Sequence, residues 1–223
     1  PPRSTLFPYT TLFRSNTFTT DEAVLPTRGG DWYDGGLWQD VFLHKWGTKN
    51  DLVKGSWDYL YRVIAQANKS LDKLNEILAK DPENTSVPKY ISEVRAFRAL
   101  YYYYLLDMFA RVPLVTSSTT AMADVEQSER SVVFTFVKTE LEESVADLSD
   151  AHSNLPGEYY GRITKPVAYF LLAKLALNAE IYTDDNWTDG SKPDGKTIKF
   201  TVDGAEKNAW EATIAYGTKI KEL

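Results

Sequence analysis

Apolar residues recur at threes and fours through most of the chain from residue 51 onward, the pattern of helices that each bury one face. The strongest run covers residues 51–80, where Leu52, Trp57, Leu60, Tyr61, Ile64, Ala67, Asn68, Leu71, Leu74 and Leu78 fall on that face. Pro82 stops it, because a proline ring cannot sit in a helix interior. A second helix is predicted over residues 88–111, with Ile91, Val94, Phe97, Tyr101, Leu105 and Met108 inward. It ends where Val112 precedes Pro113, since the residue before a proline is pushed out of helical geometry. The third covers residues 132–149 on a stripe of Phe134, Val137, Leu141, Val145 and Leu148. The fourth covers 164–182, with Thr164 as N-cap and Pro166 in its first turn. Its small residues Ala168, Ala173, Ala176 and Ala179 suit close helix packing. Residues 197–202 read as a short strand, and a fifth helix is expected to open near Ala205 and run to Leu223. Four helices in two consecutive hairpins make the fold class all-α, with tetratricopeptide-like helical hairpins and long irregular loops. Trp57, Leu60 and Tyr61 loosely echo the opening of that repeat.

The ends of the chain read differently. Residues 5–15, TLFPYTTLFRS, resemble one reading frame of a short-read sequencing adapter and carry no helix or strand pattern. Residues 1–15 are therefore set apart as non-native, and native sequence is expected from about Asn16. The last helix has no C-cap or glycine stop. Residues 16–223 are accordingly read as one incomplete helical domain, cut at both ends.

Composition removes several functional classes. Net charge is -6 and the basic residues are scattered singly among acids, so no basic face for nucleic acid emerges. No apolar run is long enough to span a bilayer. Cysteine is absent, which excludes disulfides, thiolate metal sites and a cysteine nucleophile among these residues. His44 and His152 are the two histidines, far apart in sequence, and no G-x-S-x-G elbow appears. Asp31, Asp34 and Asp40, near Trp32 and Trp38, are the carboxylates a glycoside hydrolase would use; the reading is nonetheless non-enzymatic, without cofactor. The acidic run DDNWTDG at 184–190 does not place Asp or Asn at the alternate positions of a calcium loop and reads as a solvated turn.

Six Trp, fourteen Tyr and ten Phe are core material or flat platforms for sugar rings, and location decides between the two. Tyr101 to Tyr104 point in different directions around a helix and read as packing, with Arg95 and Arg98 in structural ion pairs. Trp32, Tyr33, Trp38 and Trp46 are different. They lie outside helical periodicity, amid the turn signals Gly29-Gly30 and Gly35-Gly36, beside Arg28, Asp31, Asp34 and Asp40. Sugar binding needs this mixture of a flat ring for the C–H face of a pyranose and charged groups for its hydroxyls. The same tryptophans could instead cap the helical core.

Three segments in fixed order resemble the SusD/RagB family: WDYLYRVIAQANKSLDKL at 57–74, EVRAFRALYYYYLLDMFARVPLVT at 93–116 and GRITKPVAYFLLAKLALNAEIY at 161–182. Ala110 departs from the pattern, which commonly has glycine before the V-P-L-V turn. The resemblance implies a SusD-like α/α superhelix in an outer-membrane, cell-surface lipoprotein, its anchoring cysteine and signal lost with the true start. It implies binding of an oligosaccharide or polysaccharide and delivery to a SusC-like TonB-dependent transporter. Family members are longer, with more of the binding site in a C-terminal half. The ligand-binding candidates are Trp32 first, with Asp31 and Arg28 as polar partners, then Tyr33 and Trp38. Two other readings stand beside this one: a tetratricopeptide-like scaffold for a protein, peptide or non-sugar nutrient, and a helical glycoside hydrolase.

Overall fold

A computed structural model describes residues 16–20 and 22–223, in two units that divide at Arg62 and Val63. The adapter-like segment 5–15 lies outside the described residues.

In the first unit a 3-10 turn, Asp34–Gly36, leads into helix α1, Leu37–Phe42. Trp38 and Val41 of α1 close on Leu52, and Phe18, Leu25 and Leu37 pack around them. Leu52 belongs to helix α2, Asp51–Lys80. The Asn50 side chain accepts from the amides of Leu52 and Val53 at 3.0 and 3.3 Å, which satisfies two of the orphan donors at a helix start. The predicted inward positions of α2 are buried or half-buried throughout.

The second unit holds α3, Val87–Phe109, and α4, Arg130–Ser144. Between them β1, Val112–Pro113, pairs antiparallel with β2, Gln127–Ser128. Next come α5, Lys165–Leu177, and the single turn α6, Ala179–Tyr182, then the strands β3, Lys199–Val202, and β4, Ala205–Asn208, and last α7, Ala209–Glu222. Helix α3 packs on α4, and α5 packs on α7, where the rings of Tyr169 and Tyr216 stack at 6.0 Å. This is the helical class that the periodicity predicts.

Three expectations need correction. Residues 205–208 form strand β4, because Asp203 and Gly204 both take positive φ (52° and 76°) and close a two-residue hairpin. The last helix begins only at Ala209, where Asn208 and Glu211 form a reciprocal capping box. The fourth helix breaks at Asn178; Thr164 has N-cap backbone geometry, but its hydroxyl makes no capping bond. Helix α3 is turned from its predicted face: Ile91, Val94, Phe97, Tyr101 and Met108 are half-buried, whereas Ala96, Ala99, Tyr102, Tyr103 and Leu106 are buried. Bulk misleads here, because small alanines mark where a neighbouring helix comes closest.

The V-P-L-V turn is held by polar side chains from both long helices. Tyr102 Oη donates to the carbonyl oxygen of Val115 and accepts from its amide, each at 2.8 Å. Asn68 Nδ2 donates to the same carbonyl at 2.8 Å, and Arg98 Nη1 donates to the Thr116 carbonyl and to Asn68 Oδ1. Burial pushes the Tyr102 hydroxyl up to about 12, against the pull of its Val115 hydrogen bond and of Arg98. Arg98 also meets Glu140 of α4, while Arg95 donates to Glu140 and Glu143 at 2.8 and 2.5 Å. Both arginines thus serve the structural ion pairs expected of them. The start of α4 is capped from far along the chain, since Asp185 accepts from the Ser131 amide at 2.9 Å and its hydroxyl at 2.5 Å.

Candidate functional site

The first unit gathers the loop aromatics around one tight turn. Gly29, at φ 61°, reverses the chain so that Arg28 and Asp31 exchange two backbone hydrogen bonds of 3.2 and 3.0 Å. Trp32 follows at φ 60°, a conformation that bulky residues seldom adopt and that stores strain. The 3-10 turn then carries Asp34 to Trp38, whose Nε1 donates to Asp34 Oδ2 at 2.7 Å. Gln39 Nε2 also bonds to Thr27 Oγ1, which ties the turn to α1.

These contacts sort the tryptophans. Trp38 is 2% exposed, with the ring of Phe18 edge-on at 5.5 Å and that of Trp32 at 5.7 Å. It offers no open face to solvent and packs behind Trp32, although the sequence reading expects direct ligand contact from it. Trp32 is 42% exposed and Tyr33 56%, so both reach solvent from a braced base. Arg28 and Asp31 flank them at the mouth of the turn and are exposed.

An open cleft of about 310 Å³ adjoins this turn, lined among others by Asp34, Asp40, Trp46, Lys49 and Asn50. Its ring, Trp46, stands edge-on to His44 at 5.2 Å, and His44 Nε2 lies 2.8 Å from the Thr19 carbonyl oxygen. The other imidazole, His152 in the second unit, lies 3.3 Å from the Leu223 carbonyl oxygen. Lys49 and Asn50 escaped sequence reasoning, although the Gly47 turn beside an aromatic was a signal for them.

The model of a family described as starch-binding and associating with the outer membrane matches residues 10–177. The chain belongs to the SusD-like family. That match includes the Trp32 turn and the clamped V-P-L-V segment. The starch-binding protein SusD of Bacteroides thetaiotaomicron is 26% identical over 175 residues, 78% of this chain and 29% of that relative. Two solved structures share the fold. A SusD homologue from Bacteroides thetaiotaomicron has a TM-score of 0.63 at 19% identity over 96% of this chain. A laminarin-binding SusD-like protein has a TM-score of 0.58 at 23% identity over 79%. The chain spans 40% of each of those two structures. Among the described residues, no helix is long and apolar enough to cross a membrane.

Proposed function

We propose that the protein to which this chain belongs captures an oligosaccharide or polysaccharide at the cell surface and passes it to a SusC-like TonB-dependent transporter, making and breaking no bonds itself. The observation that carries this reading is Trp32, a solvent-facing ring fixed by a strained backbone and by the buried Trp38 behind it. A rigid flat ring stacks on a pyranose at little entropic cost, because the platform is ordered before ligand arrives. Arg28 and Asp31 stand close enough in the same turn to address ring hydroxyls, with Tyr33 as a second surface. The acidic cleft with Trp46 extends this polar and aromatic character. Membership of a family described as starch-binding and associated with the outer membrane supports the same reading, as does the aromatic turn itself. Residues 16–223 are proposed to be the helical part of a longer lipid-anchored protein.

Affinity electrophoresis through gels containing soluble starch or laminarin tests the capture step. The wild-type chain should be retarded in at least one of these gels, and Trp32→Ala should migrate as it does in a gel without polysaccharide. Equal retardation of both proteins would remove Trp32 from the site. Release of reducing ends from either polysaccharide would overturn the non-enzymatic reading. Co-purification of the intact lipoprotein with a TonB-dependent transporter from outer membranes tests the delivery step.

A further inference from the structure

A second cleft, of about 440 Å³, lies entirely in the second unit. Its walls are the first turns of α3, the 3-10 turn Val145–Asp147 that follows α4, and the loop before α5. That volume falls within the roughly 300–1,000 Å³ typical of small-molecule sites. The polar wall is built in advance. Arg162 sends Nε and Nη2 to the two carboxylate oxygens of Glu93, the first at 2.9 Å. Its guanidinium also lies over the Tyr159 ring, 5.0 Å from the centroid. Ser92 fixes Asp147 from below at 2.8 Å. The loop is pinned by backbone bonds from Gly161 to Ser153 (2.8 Å) and from Arg162 to Tyr159 (3.1 Å). At the rim Tyr90 is 50% exposed, with Lys89 beside it and Glu158 opposite on the loop.

We infer that this cleft is a second carbohydrate subsite, one that takes one or two neutral sugar units of a glycan chain. The inference rests on the carbohydrate-capture reading for the class of ligand and on the cleft for the place. Three carboxylates (Glu93, Asp147, Glu158) face two cations (Lys89, Arg162), and Arg162 is already paired with Glu93. Such a wall, with one carboxylate in excess, attracts neither an anion nor a polycation strongly, but it sets many donors and acceptors in fixed directions. Vicinal hydroxyls need that, and charged side chains locked by their own partners offer it without moving. Tyr90 supplies the exposed flat surface for the C–H face of the sugar, and the Tyr159–Arg162 pair forms the opposite wall.

Amide NMR titration of the full chain with maltoheptaose, and separately with laminarihexaose, locates binding directly. At least one probe should shift the amides of residues 89–93 and 158–162 in the wild type and equally in Trp32→Ala. Tyr90→Ala should weaken binding at those residues at least tenfold while leaving shifts around residues 28–34 intact. Raising NaCl from about 0.05 to about 0.5 M, which shortens the screening length severalfold, should leave the cleft titration within twofold for a neutral ligand. Shifts confined to residues 28–50 would overturn the cleft and keep the Trp32 site. Shifts confined to the cleft would overturn the Trp32 site and keep this one, and shifts at neither would overturn both. A salt-induced loss of tenfold or more would overturn the claim that the Arg162–Glu93 pair presents a wall already locked for a neutral sugar.

Discussion

Arg98 and Glu140 meet at 2.6 Å with both side chains only 7% exposed, joining α3 to α4. The same guanidinium reaches Asn68 of α2 and the Thr116 carbonyl, so one buried cation ties three helices and a turn together. Removing a single partner leaves the other charge buried without compensation, and such losses are about 3–5 kcal/mol. Glu140→Ala should therefore lower the midpoint of thermal unfolding by roughly 10 °C. Arg98→Ala should do the same, and the double variant should lose much less than the sum of the two. Calorimetry of the three variants checks this; additive losses would mean that the pair is not coupled.

Ala110 ends α3 with φ 61° and ψ -82°, in the left-handed half of the map that glycine enters freely and alanine does not. Its amide still closes on the Leu106 carbonyl at 3.1 Å, so the chain needs this conformation to enter the clamped turn. Ala110→Gly should stabilise the protein by about 1 kcal/mol, the relief of strain exceeding the entropy of a more flexible unfolded chain. Chemical denaturation with an unchanged m-value would confirm a local effect, and a loss of stability would refute it.

The same turn shows how far the sequence can be read. Pro113 and the periodicity before it marked where α3 stops, and the alanine in a glycine position marked an unusual backbone. Neither could reveal that Asn68, Arg98 and Tyr102 converge on Val115 and Thr116, because those bonds join residues 13 to 47 positions apart. Asp185 capping α4 is equally invisible to any local rule, since the partners are 54 positions apart. The hairpin before α7 is missing from the sequence reading although Asp203-Gly204 is a strong turn signal, because the helical pattern after it draws the boundary too early. At the candidate site the sequence singles out the segment without separating its tryptophans. Six positions apart in one aromatic loop, Trp32 and Trp38 look alike until α1 turns the second inward.

Glu142 offers a pH-dependent check. Burial raises its carboxyl above the usual range, even though the Thr201 amide donates to it at 2.8 Å and Lys138 and Tyr216 also favour the charge. Between the ordinary carboxylate value and the raised one, the folded protein holds a proton that the unfolded chain has released. Stability therefore increases as pH falls through the raised value, and the charged form is a net burden at neutral pH. Glu142→Gln keeps an acceptor for Thr201, so it should melt higher than wild type at pH 7. The gap should close on acidification toward about pH 4, near the unperturbed carboxylate value. A gap that widens with falling pH would reverse the assignment.

Trp32 and Trp38 should separate binding from stability. Trp38 fills the small core with Val41 and Leu52 and anchors Asp34 through its indole N–H. Trp38→Ala should therefore destabilise the first unit by about 3–5 kcal/mol, the usual range for deleting a buried aromatic ring. Trp32 is 42% exposed, and alanine must hold the same positive φ, so Trp32→Ala removes a surface ring without changing what the backbone must adopt; stability should stay within about 0.5 kcal/mol of wild type. Hydrogen exchange of the amides in α1 reads local opening without requiring the rest of the chain to unfold. Fast exchange there in Trp38→Ala, with wild-type exchange in Trp32→Ala, is the expected result. If Trp32→Ala also opened α1, its ring would be holding the loop together, and loss of polysaccharide retention in that variant could no longer be attributed to a missing sugar platform.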